Sequence, residues 1–205
     1  MTAAPRERFD AKRGFDLAVS GLVLLVTWPV FAVIALAVRL DSRGPAIFRQ
    51  ERVGLHGATF RIHKFRSMQV TGGGALVSAT GDDRVTRVGR FLRQSKLDEL
   101  PQMLDVLAGN MSVVGPRPEV PRYVALWPAP MRETILSVRP GITDPASIAL
   151  RNEADELAAV ADPERHYVES LLPRKLALYV DYVNNRGLAG DLAIIARTVV
   201  AVIRA

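Results

Sequence analysis

An uncharged apolar run from Leu17 to Val38 constrains this chain more than any other feature of its sequence. A helix needs about 20 apolar residues to cross the hydrocarbon core of a bilayer, and this run is long enough. Basic residues precede the run, as in a signal peptide. However, the run is too long for one, and no small-residue cleavage site follows before Arg39. The sequence therefore predicts an element that keeps the protein attached to a membrane.

Trp28 and Pro29 interrupt the apolar run near its middle. Proline removes a helical hydrogen bond and clashes with the preceding turn, so a kink or a reversal is expected there. Each arm has about 11 residues and is roughly 17 Å long as a helix, about half the depth of a bilayer. Basic residues mark the cytoplasmic side of a membrane, and they lie on both flanks, at Arg6, Arg8, Lys12 and Arg13 and at Arg39, Arg43, Arg49 and Arg52.

These two features favour a re-entrant helix-break-helix that enters and leaves the membrane on the same face, with Trp28 and Pro29 as the membrane turn. A kinked helix that spans the bilayer is the alternative, because membrane-spanning helices tolerate proline.

The charge balance of the chain favours anionic partners. It has 27 Lys and Arg against 21 Asp and Glu, a net charge of +6 and a pI near 10.1. Phospholipid, nucleotides and nucleic acid all fit such a charge, which alone does not choose among them. The chain has no Cys, and its three His residues lack a metal-ligand spacing, so disulfides, structural zinc and thiol redox chemistry are not expected.

The segment after the apolar run predicts mixed secondary structure. Ala46 to Phe65 is predicted to form a small hairpin, and Gln69 to Asp83 a glycine-rich loop that lacks the G-K-[ST] ending of a P-loop. A helix is predicted from about Arg84 to Leu107 with a break near Pro101, and helices are also predicted over 153–161 and 163–185. Gly115-Pro116-Arg117-Pro118 predicts a rigid extended turn, because each proline fixes its own φ and restricts the residue before it.

We therefore predict an α+β fold that is mainly helical, with a small β-hairpin, a re-entrant membrane element and interfacial amphipathic helices. Residues 1–40 form the N-terminal segment with the membrane hairpin, and residues 41–205 form a cytoplasmic domain. The last segment, Leu188 to Ala205, is apolar with Arg197 and Arg204 on one helix face. It fits a helix in the membrane interface and a helix packed on the core equally well.

Candidate chemistry lies where a series of basic residues ends in an acidic pair. Asp98 and Glu99 follow the residues Arg84, Arg87, Arg90, Arg93 and Lys96. Adjacent carboxylates on a helix point about 100° apart, which suits two separate tasks better than one shared proton. Phosphoryl transfer uses such a set: a carboxylate nucleophile, a carboxylate for Mg²⁺, and arginines that neutralise phosphate oxygens. Taken alone, the pair also fits ordinary surface charge near a helix end.

The ordered motifs of this chain resemble the bacterial sugar transferases, also called monotopic phosphoglycosyl transferases. The matching motifs cover about residues 10–151 and begin at Lys12, so we expect the small catalytic-core form of the family. They are Lys12-Arg13 with Asp16; Gly44-Pro45 with Phe48, Gln50, Arg52 and Gly54; Lys64-Phe65-Arg66-Ser67-Met68; Asp83 to Arg93; Leu97-Asp98-Glu99-Leu100-Pro101-Gln102; Gly109 to Pro118; and Arg139-Pro140-Gly141-Ile142-Thr143.

The resemblance implies an enzyme that transfers a sugar 1-phosphate from a UDP-sugar to a polyprenol phosphate, undecaprenyl phosphate, and releases UMP. This would be the initiating step of surface glycan or exopolysaccharide biosynthesis. It implies that Asp98 is the nucleophile that forms a covalent phosphosugar intermediate and that Glu99 binds Mg²⁺. Arg93 and Arg117 match positions associated with the nucleotide or phosphates, and Lys64 and Arg66 lie in a matching motif and are taken as substrate-binding.

The resemblance also implies a place in the cell: the bacterial inner membrane, on its cytoplasmic face and in contact with phospholipid. Nucleic acid is not an expected partner, and a homodimer is left open. After Thr143 many members of the family have Gly, whereas this chain has Asp144-Pro145, which puts the local loop and the choice of donor sugar in question. The identity of the sugar and of the glycan is not determined by the sequence.

Two other functions also fit these sequence features. A basic membrane-attached binding or scaffold protein would use the arginine series to bind anionic lipid or nucleic acid without turnover. A direct glycosyltransferase would use Asp82 and Asp83 as its metal site and would release UDP in place of UMP.

Overall fold

A computed structural model describes residues 11–69 and 77–203. Arg6 and Arg8, part of the predicted Gln69–Asp83 loop, and Arg204 lie outside these residues. The helices are α1 (Ala11–Asp41), α2 (Arg87–Gln94), α3 (Gln102–Leu107), α4 (Pro121–Val124), α5 (Ala129–Ile135), α6 (Pro145–Ala149), α7 (Glu153–Ala158), α8 (Pro163–His166), α9 (Leu172–Asn185) and α10 (Leu188–Ile203). The strands are β1 (Ile47–Val53), β2 (Thr59–Phe65), β3 (Ser112–Val114) and β4 (Gly141–Thr143).

The predicted hairpin is confirmed. Strands β1 and β2 pair antiparallel, with Ile47 opposite Phe65 and Val53 opposite Thr59. Gly57 adopts a positive φ of 80° in the turn between them, a conformation that glycine reaches without strain.

A second sheet was not predicted. Strands β3 and β4 pair in parallel, with Ser112 opposite Gly141. They approach so closely that a Cβ on Gly141 would lie 2.0 Å from the Gly115 nitrogen, which explains a glycine at this position of the Pro-Gly-Ile-Thr motif. The approach also fixes the course of the Gly115–Pro118 turn.

The helix predicted from Arg84 to Leu107 has its predicted break at Pro101, but it begins later, at Arg87, and contains a second break that was not predicted. Helix α2 ends near Ser95, and Lys96 then adopts a left-handed conformation with φ of 57°. A 3₁₀ turn from Leu97 to Glu99 follows, and α3 begins at Gln102. The chain therefore changes direction before the acidic pair as well as at Pro101, so Asp98 and Glu99 lie on a tight turn between two helices.

Helix α1 is long and apolar enough to cross a membrane, by length and composition. It has 31 residues, about 46 Å at 1.5 Å per residue, and includes Pro29. The predicted break at Trp28-Pro29 is not seen, because helical structure continues through Pro29. The re-entrant path through a membrane stays a prediction, as does the division into two parts at residue 40.

Both ends of α1 pack against the rest of the protein, while its middle does not. Near the N-terminal end, Asp16 is buried and accepts the backbone N–H of Val113 at 3.0 Å. Near the C-terminal end, the rings of Phe31 and Phe65 lie 4.6 Å apart, and Val38 is buried. The exposed apolar segment consists of Leu22, Leu25, Val26, Trp28 and Val30 in the middle of α1, and exposed apolar side chains continue past Phe31 at Val33, Leu36 and Leu40.

The largest buried cluster lies among helices α4 to α9, and it includes Tyr123, Trp127, Leu171, Leu176 and Tyr179. Helix α10 packs one side on a second cluster through Ile194 and Ile195. Its other side is exposed at Leu188, Leu192, Val199 and Val200. Core packing of the last helix is therefore confirmed for one face, and contact of the other face with a membrane stays a prediction.

Candidate active site

A cavity of about 460 Å³ lies between the β1–β2 hairpin, α2, the Leu97–Glu99 turn and the Gly115–Pro118 turn. All six residues predicted for catalysis and substrate binding line this cavity. They are Lys64, Arg66, Arg93, Asp98, Glu99 and Arg117. The tertiary structure thus brings together residues from four separate motifs. A second cavity of about 300 Å³, near the N-terminal end of α1, contains none of them.

The cavity is assembled by close backbone packing of α2 on the end of β2. Thr86 caps α2, because its hydroxyl accepts the backbone N–H of Gly89 at 3.0 Å. A Cβ on Gly89 would lie 2.0 Å from the carbonyl oxygen of Ser67, so only glycine permits this contact. The contact holds the Lys64–Met68 motif beside α2 and the turn that follows it.

Both carboxylate oxygens of Glu99 accept hydrogen bonds from cationic side chains, those of Lys64 and Arg117. Its Oε1 accepts a hydrogen bond from Lys64 Nζ at 3.0 Å and a short one from Arg117 Nη2, and its Oε2 accepts from Arg117 Nη1 at 3.3 Å. Burial alone would raise the pKa of Glu99, but the charges of Arg117 and Lys64 outweigh burial and hold this pKa well below its usual range. The charge of Glu99 in turn raises the pKa of Arg117, whereas burial lowers the pKa of Lys64.

Asp98 has the opposite environment, although it is the adjacent residue. It is 8% exposed, and its Oδ1 has no hydrogen-bond partner among the described residues. Burial raises the pKa of Asp98, the charge of Glu99 raises it further, and Lys64 and Arg117 oppose the shift. Asp98 therefore presents a carboxylate oxygen that is neither solvated nor neutralised by contact, in a cavity lined with cations.

The two remaining predicted arginines are held in different ways. Arg93 Nη2 donates to Ser78 Oγ at 2.9 Å. Arg66 is 3% exposed, and its Nη2 donates to the carbonyl oxygens of Val38 and Ser42. Trp28 and Pro29 lie on α1 and do not line the cavity; Trp28 is 66% exposed.

Several cavity residues were missed as site candidates. Phe48, Gln50 and Arg52 line the cavity from alternate positions of β1. Arg52 donates to Gln50 Oε1 at 2.7 Å and to Glu119 Oε1 at 2.9 Å. Alternate residues of a strand point to the same face, so the sequence spacing of Phe48, Gln50 and Arg52 already predicted that these three side chains lie on one face of β1.

The Asp82–Asp83 pair does not resemble a metal site. Arg84 donates to Asp82 at 2.6 and 2.9 Å, and the hydrogen bond from Arg84 lowers the pKa of Asp82 to about 2. Asp83 is exposed. Among residues 11–69 and 77–203 there is no cluster of three or more His, Cys, Asp or Glu side chains that could hold a metal ion by themselves.

The departure at Asp144-Pro145 has a structural explanation. Asp144 caps α6 by accepting the backbone N–H of Ser147 at 2.9 Å, and Pro145 occupies the first position of the helix. This is the usual arrangement of an acidic cap and a proline at a helix start. Neither residue lines the cavity, so the departure alters the course of the chain after β4 and adds no direct contact to the cavity.

Comparison with known proteins gives consistent matches. The family model described as bacterial sugar transferase matches residues 7–205. A UDP-glucose:undecaprenyl-phosphate glucose-1-phosphate transferase of Caulobacter vibrioides is 39% identical over 95% of this chain and 71% of its own length. The Escherichia coli protein of the same name is 45% identical over 71% of this chain and 32% of its own length. An exopolysaccharide production protein of Rhizobium leguminosarum is 35% identical over 93% of this chain and 94% of its own length.

Proposed function

Because this chain belongs to the bacterial sugar transferase family, we propose that it transfers a sugar 1-phosphate from a UDP-sugar to undecaprenyl phosphate and releases UMP. The observation that carries this proposal is the contrast inside the cavity. One carboxylate, that of Glu99, is neutralised by two cations, and its buried neighbour Asp98 has an oxygen without a partner in the part of the chain that the structure describes. Names of relatives support the substrate class, since they describe glucose 1-phosphate and N-acetylgalactosamine phosphate transfer to undecaprenyl phosphate.

Asp98 acts as the nucleophile in this proposal. Its carboxylate oxygen attacks the phosphorus that bears the sugar; an Asp–O–P bond forms, the bond to the bridging oxygen breaks, and UMP leaves with that bonding pair. A phosphate oxygen of the polyprenol phosphate then attacks the same phosphorus and displaces the Asp98 carboxylate. The product is a polyprenol diphosphate sugar, and Asp98 is regenerated. Splitting one transfer into two displacements is what a positioned carboxylate nucleophile provides.

Lys64 and Arg117 neutralise the diphosphate in this proposal. Arginine binds phosphate oxygens with two parallel N–H groups, and lysine acts as a point charge. Both side chains already lie at the wall of the cavity beside Glu99. They can therefore meet a diphosphate without a rearrangement of the backbone. Charge that develops on the leaving UMP would be stabilised by groups that the fold has placed beforehand.

Mg²⁺ is proposed as the cofactor, with Glu99 as its protein ligand. Mg²⁺ is commonly held by one or two carboxylates together with substrate phosphates, and the cavity contains two adjacent carboxylates. Both Glu99 oxygens are engaged by Lys64 and Arg117, so the fit requires that substrate phosphate takes over those cations. The ion would supply additional charge neutralisation at the diphosphate.

A monotopic attachment to the cytoplasmic face of the bacterial inner membrane is proposed for α1. A helix that crossed the bilayer would place its ends about 30 Å apart on opposite faces. Contacts from Asp16 to Val113 and from Phe31 to Phe65 join both ends to one folded body, which supports entry and exit on one face. The exposed apolar middle of α1 supports its contact with lipid.

The attachment can be tested with single cysteines, because the natural chain contains none. Cysteines at Arg43 and at Ala11, on the two sides of the apolar run, should both react with a membrane-impermeant maleimide in inside-out vesicles and both be protected in intact spheroplasts. Opposite accessibility of the two sites would establish a spanning helix.

The reaction class is tested by identifying the nucleotide product. The protein in nonionic detergent is incubated with undecaprenyl phosphate, Mg²⁺ and UDP-glucose or UDP-N-acetylgalactosamine, and UMP and UDP are separated by chromatography. We expect UMP. Release of UDP would support a direct glycosyltransferase, and salt-sensitive lipid binding without any turnover would support the scaffold hypothesis.

A further inference from the structure

Arg66 is a buried cation, and three of the five N–H groups of its guanidinium have no hydrogen-bond partner among the described residues. Its Nη2 donates to the carbonyl oxygens of Val38 at 3.3 Å and Ser42 at 2.6 Å, at the end of α1. Its Nε and Nη1 are buried without a partner among the described residues. Carbonyl groups at a helix end lack intrahelical partners, so the Nη2 contacts satisfy an ordinary structural need. The other N–H groups have no such explanation.

An unpaired buried guanidinium is costly. Burial of a charge without compensating hydrogen bonds loses its solvation energy and gains nothing in return. Arg66 is also part of the cavity wall that contains Asp98. A ligand oxygen in this cavity would therefore supply the missing acceptor, and a phosphate matches the planar fork of a guanidinium best.

The position of Arg66 distinguishes between the two phosphate-bearing substrates. The ring of the neighbouring residue Phe65 packs at a tilt against Phe31 of α1, and Arg66 Nη2 donates to the carbonyl oxygens of Val38 and Ser42 at the end of the same helix. Helix α1 also carries the exposed apolar segment, which the proposed attachment places in lipid. Arg93, by contrast, is bonded to Ser78 in the segment before α2. A phosphate attached to a lipid would thus arrive along α1 and meet Arg66.

We propose that Arg66 binds the phosphate of the polyprenol phosphate acceptor through Nε and Nη1, while Nη2 stays on the end of α1. This inference rests on the proposed function, since it assigns one of its two substrates to one side chain. A single guanidinium then connects the membrane helix to the acceptor phosphate, and the depth of α1 in the membrane fixes the height at which the acceptor meets Asp98.

The test is the Arg66→Lys variant, with donor and acceptor concentrations varied independently. Lysine keeps the charge but lacks the planar fork, so it cannot hold the carbonyl oxygens at the end of α1 with one nitrogen and bind a phosphate with two others. We expect the KM for undecaprenyl phosphate to rise at least tenfold and the KM for the UDP-sugar to change less than twofold. Assays in nonionic detergent without phospholipid exclude a bound phospholipid headgroup as the source of the effect.

Arg93→Lys is the matched control, because it makes the same replacement in the same cavity. We expect the opposite result for it, with a raised donor KM and a nearly constant acceptor KM. Incubation with UDP-sugar alone adds a second readout, since Arg66→Lys should still release about one UMP per enzyme before turnover stops. A raised donor KM in Arg66→Lys, or no change in either KM, would overturn the assignment.

If thermal unfolding shows that Arg66→Lys does not fold, the proposal is tested on the wild-type protein. In protein with ¹⁵N-labelled arginine, farnesyl phosphate should shift an arginine Nε–H resonance that UMP leaves unchanged. The absence of any such resonance would overturn the proposal. Failure of the proposed function itself has a different signature, because the wild type would then release no UMP from any UDP-sugar.

Discussion

The two sides of the candidate active site differ in how completely their polar atoms are satisfied. On the paired side, Lys64, Glu99 and Arg117 bond one another and form a closed ion cluster. On the unpaired side, Asp98 and Arg66 retain buried polar atoms that have no partner within residues 11–69 and 77–203. Folded proteins satisfy nearly all buried polar atoms, so the exceptions require an explanation. In the proposed reaction the paired side therefore binds the diphosphate and the ion, and the unpaired side supplies the nucleophile and the contact to the acceptor phosphate.

Replacement of Asp98 should produce the largest change in rate. Asp98→Asn removes the proposed nucleophile and should lower UMP release by about 10³-fold or more, with the free energy of unfolding unchanged or higher, because a buried charge beside Glu99 is removed. Chromatographic assay of UMP measures the rate, and urea denaturation measures stability. Asp83→Asn is the matched control, since Asp83 is exposed, and it should retain activity within twofold. Full activity of Asp98→Asn would reject the nucleophile assignment.

Replacement of Glu99 should have the largest effect on stability. Glu99→Gln leaves Lys64 and Arg117, whose side chains are 19% and 31% exposed, without their carboxylate. Removal of one partner of a fully buried ion pair typically costs about 3–5 kcal/mol, and partial solvation of the two cations should bring the cost below that range. Thermal unfolding should show a clear fall in Tm, in contrast to Asp98→Asn. Added UDP should restore more of the Tm in Glu99→Gln than in the wild type, because its phosphates replace the lost negative charge. Equal stability of the two variants would remove the distinction between the two sides.

The contributions of Asp98 and Glu99 to stability should change with pH in opposite directions. Asp98 has a raised pKa, so its ionisation as pH rises through that pKa lowers stability but creates the nucleophile. Glu99 has a depressed pKa, so its stabilising contribution is present above the usual range of a glutamate, about 4.3, and is lost as pH falls through the depressed pKa.

Measurement of kcat/KM against pH should therefore show an acid limb with a midpoint above about 3.9, the usual aspartate value. Lys64→Gln should move that midpoint upward, because Lys64 opposes the shift at Asp98. A midpoint that stays in place after this change would mean that the limb belongs to another group.

Replacement of Asp144, a residue outside the cavity, should have the smallest effect. Asp144→Ala removes the cap of α6 and should lower the free energy of unfolding by about 1 kcal/mol, whereas Asp144→Asn should retain most of it. Neither change should alter the donor KM more than about threefold, because Asp144 does not line the cavity. Urea denaturation and steady-state kinetics check the two parts separately. A large change in sugar preference would show that this loop controls donor choice.

Much of the site was predictable because its residues occur in ordered motifs. The hairpin between Ala46 and Phe65 follows from short β-prone segments around two glycines, and the structure confirms it. The six predicted catalytic and substrate-binding residues line one cavity. Three-residue strands such as β3 and β4 carry no usable periodicity, which is why the second sheet was missed. The left-handed Lys96 was also missed, since tertiary packing fixes this conformation and the local sequence does not favour it.

The sequence by itself determined that a long apolar helix would join a basic, cysteine-free domain, and that Asp98 and Glu99 would stand among cations. It could not determine which of the two carboxylates is neutralised. Lys64 lies 35 residues before Glu99 and Arg117 lies 18 after it. Only folding brings their charges to one carboxylate and leaves Oδ1 of the other without a partner among the residues that the structure describes. Pairing of this kind depends on distances of about 3 Å between distant parts of the chain, and residue order alone does not specify such distances.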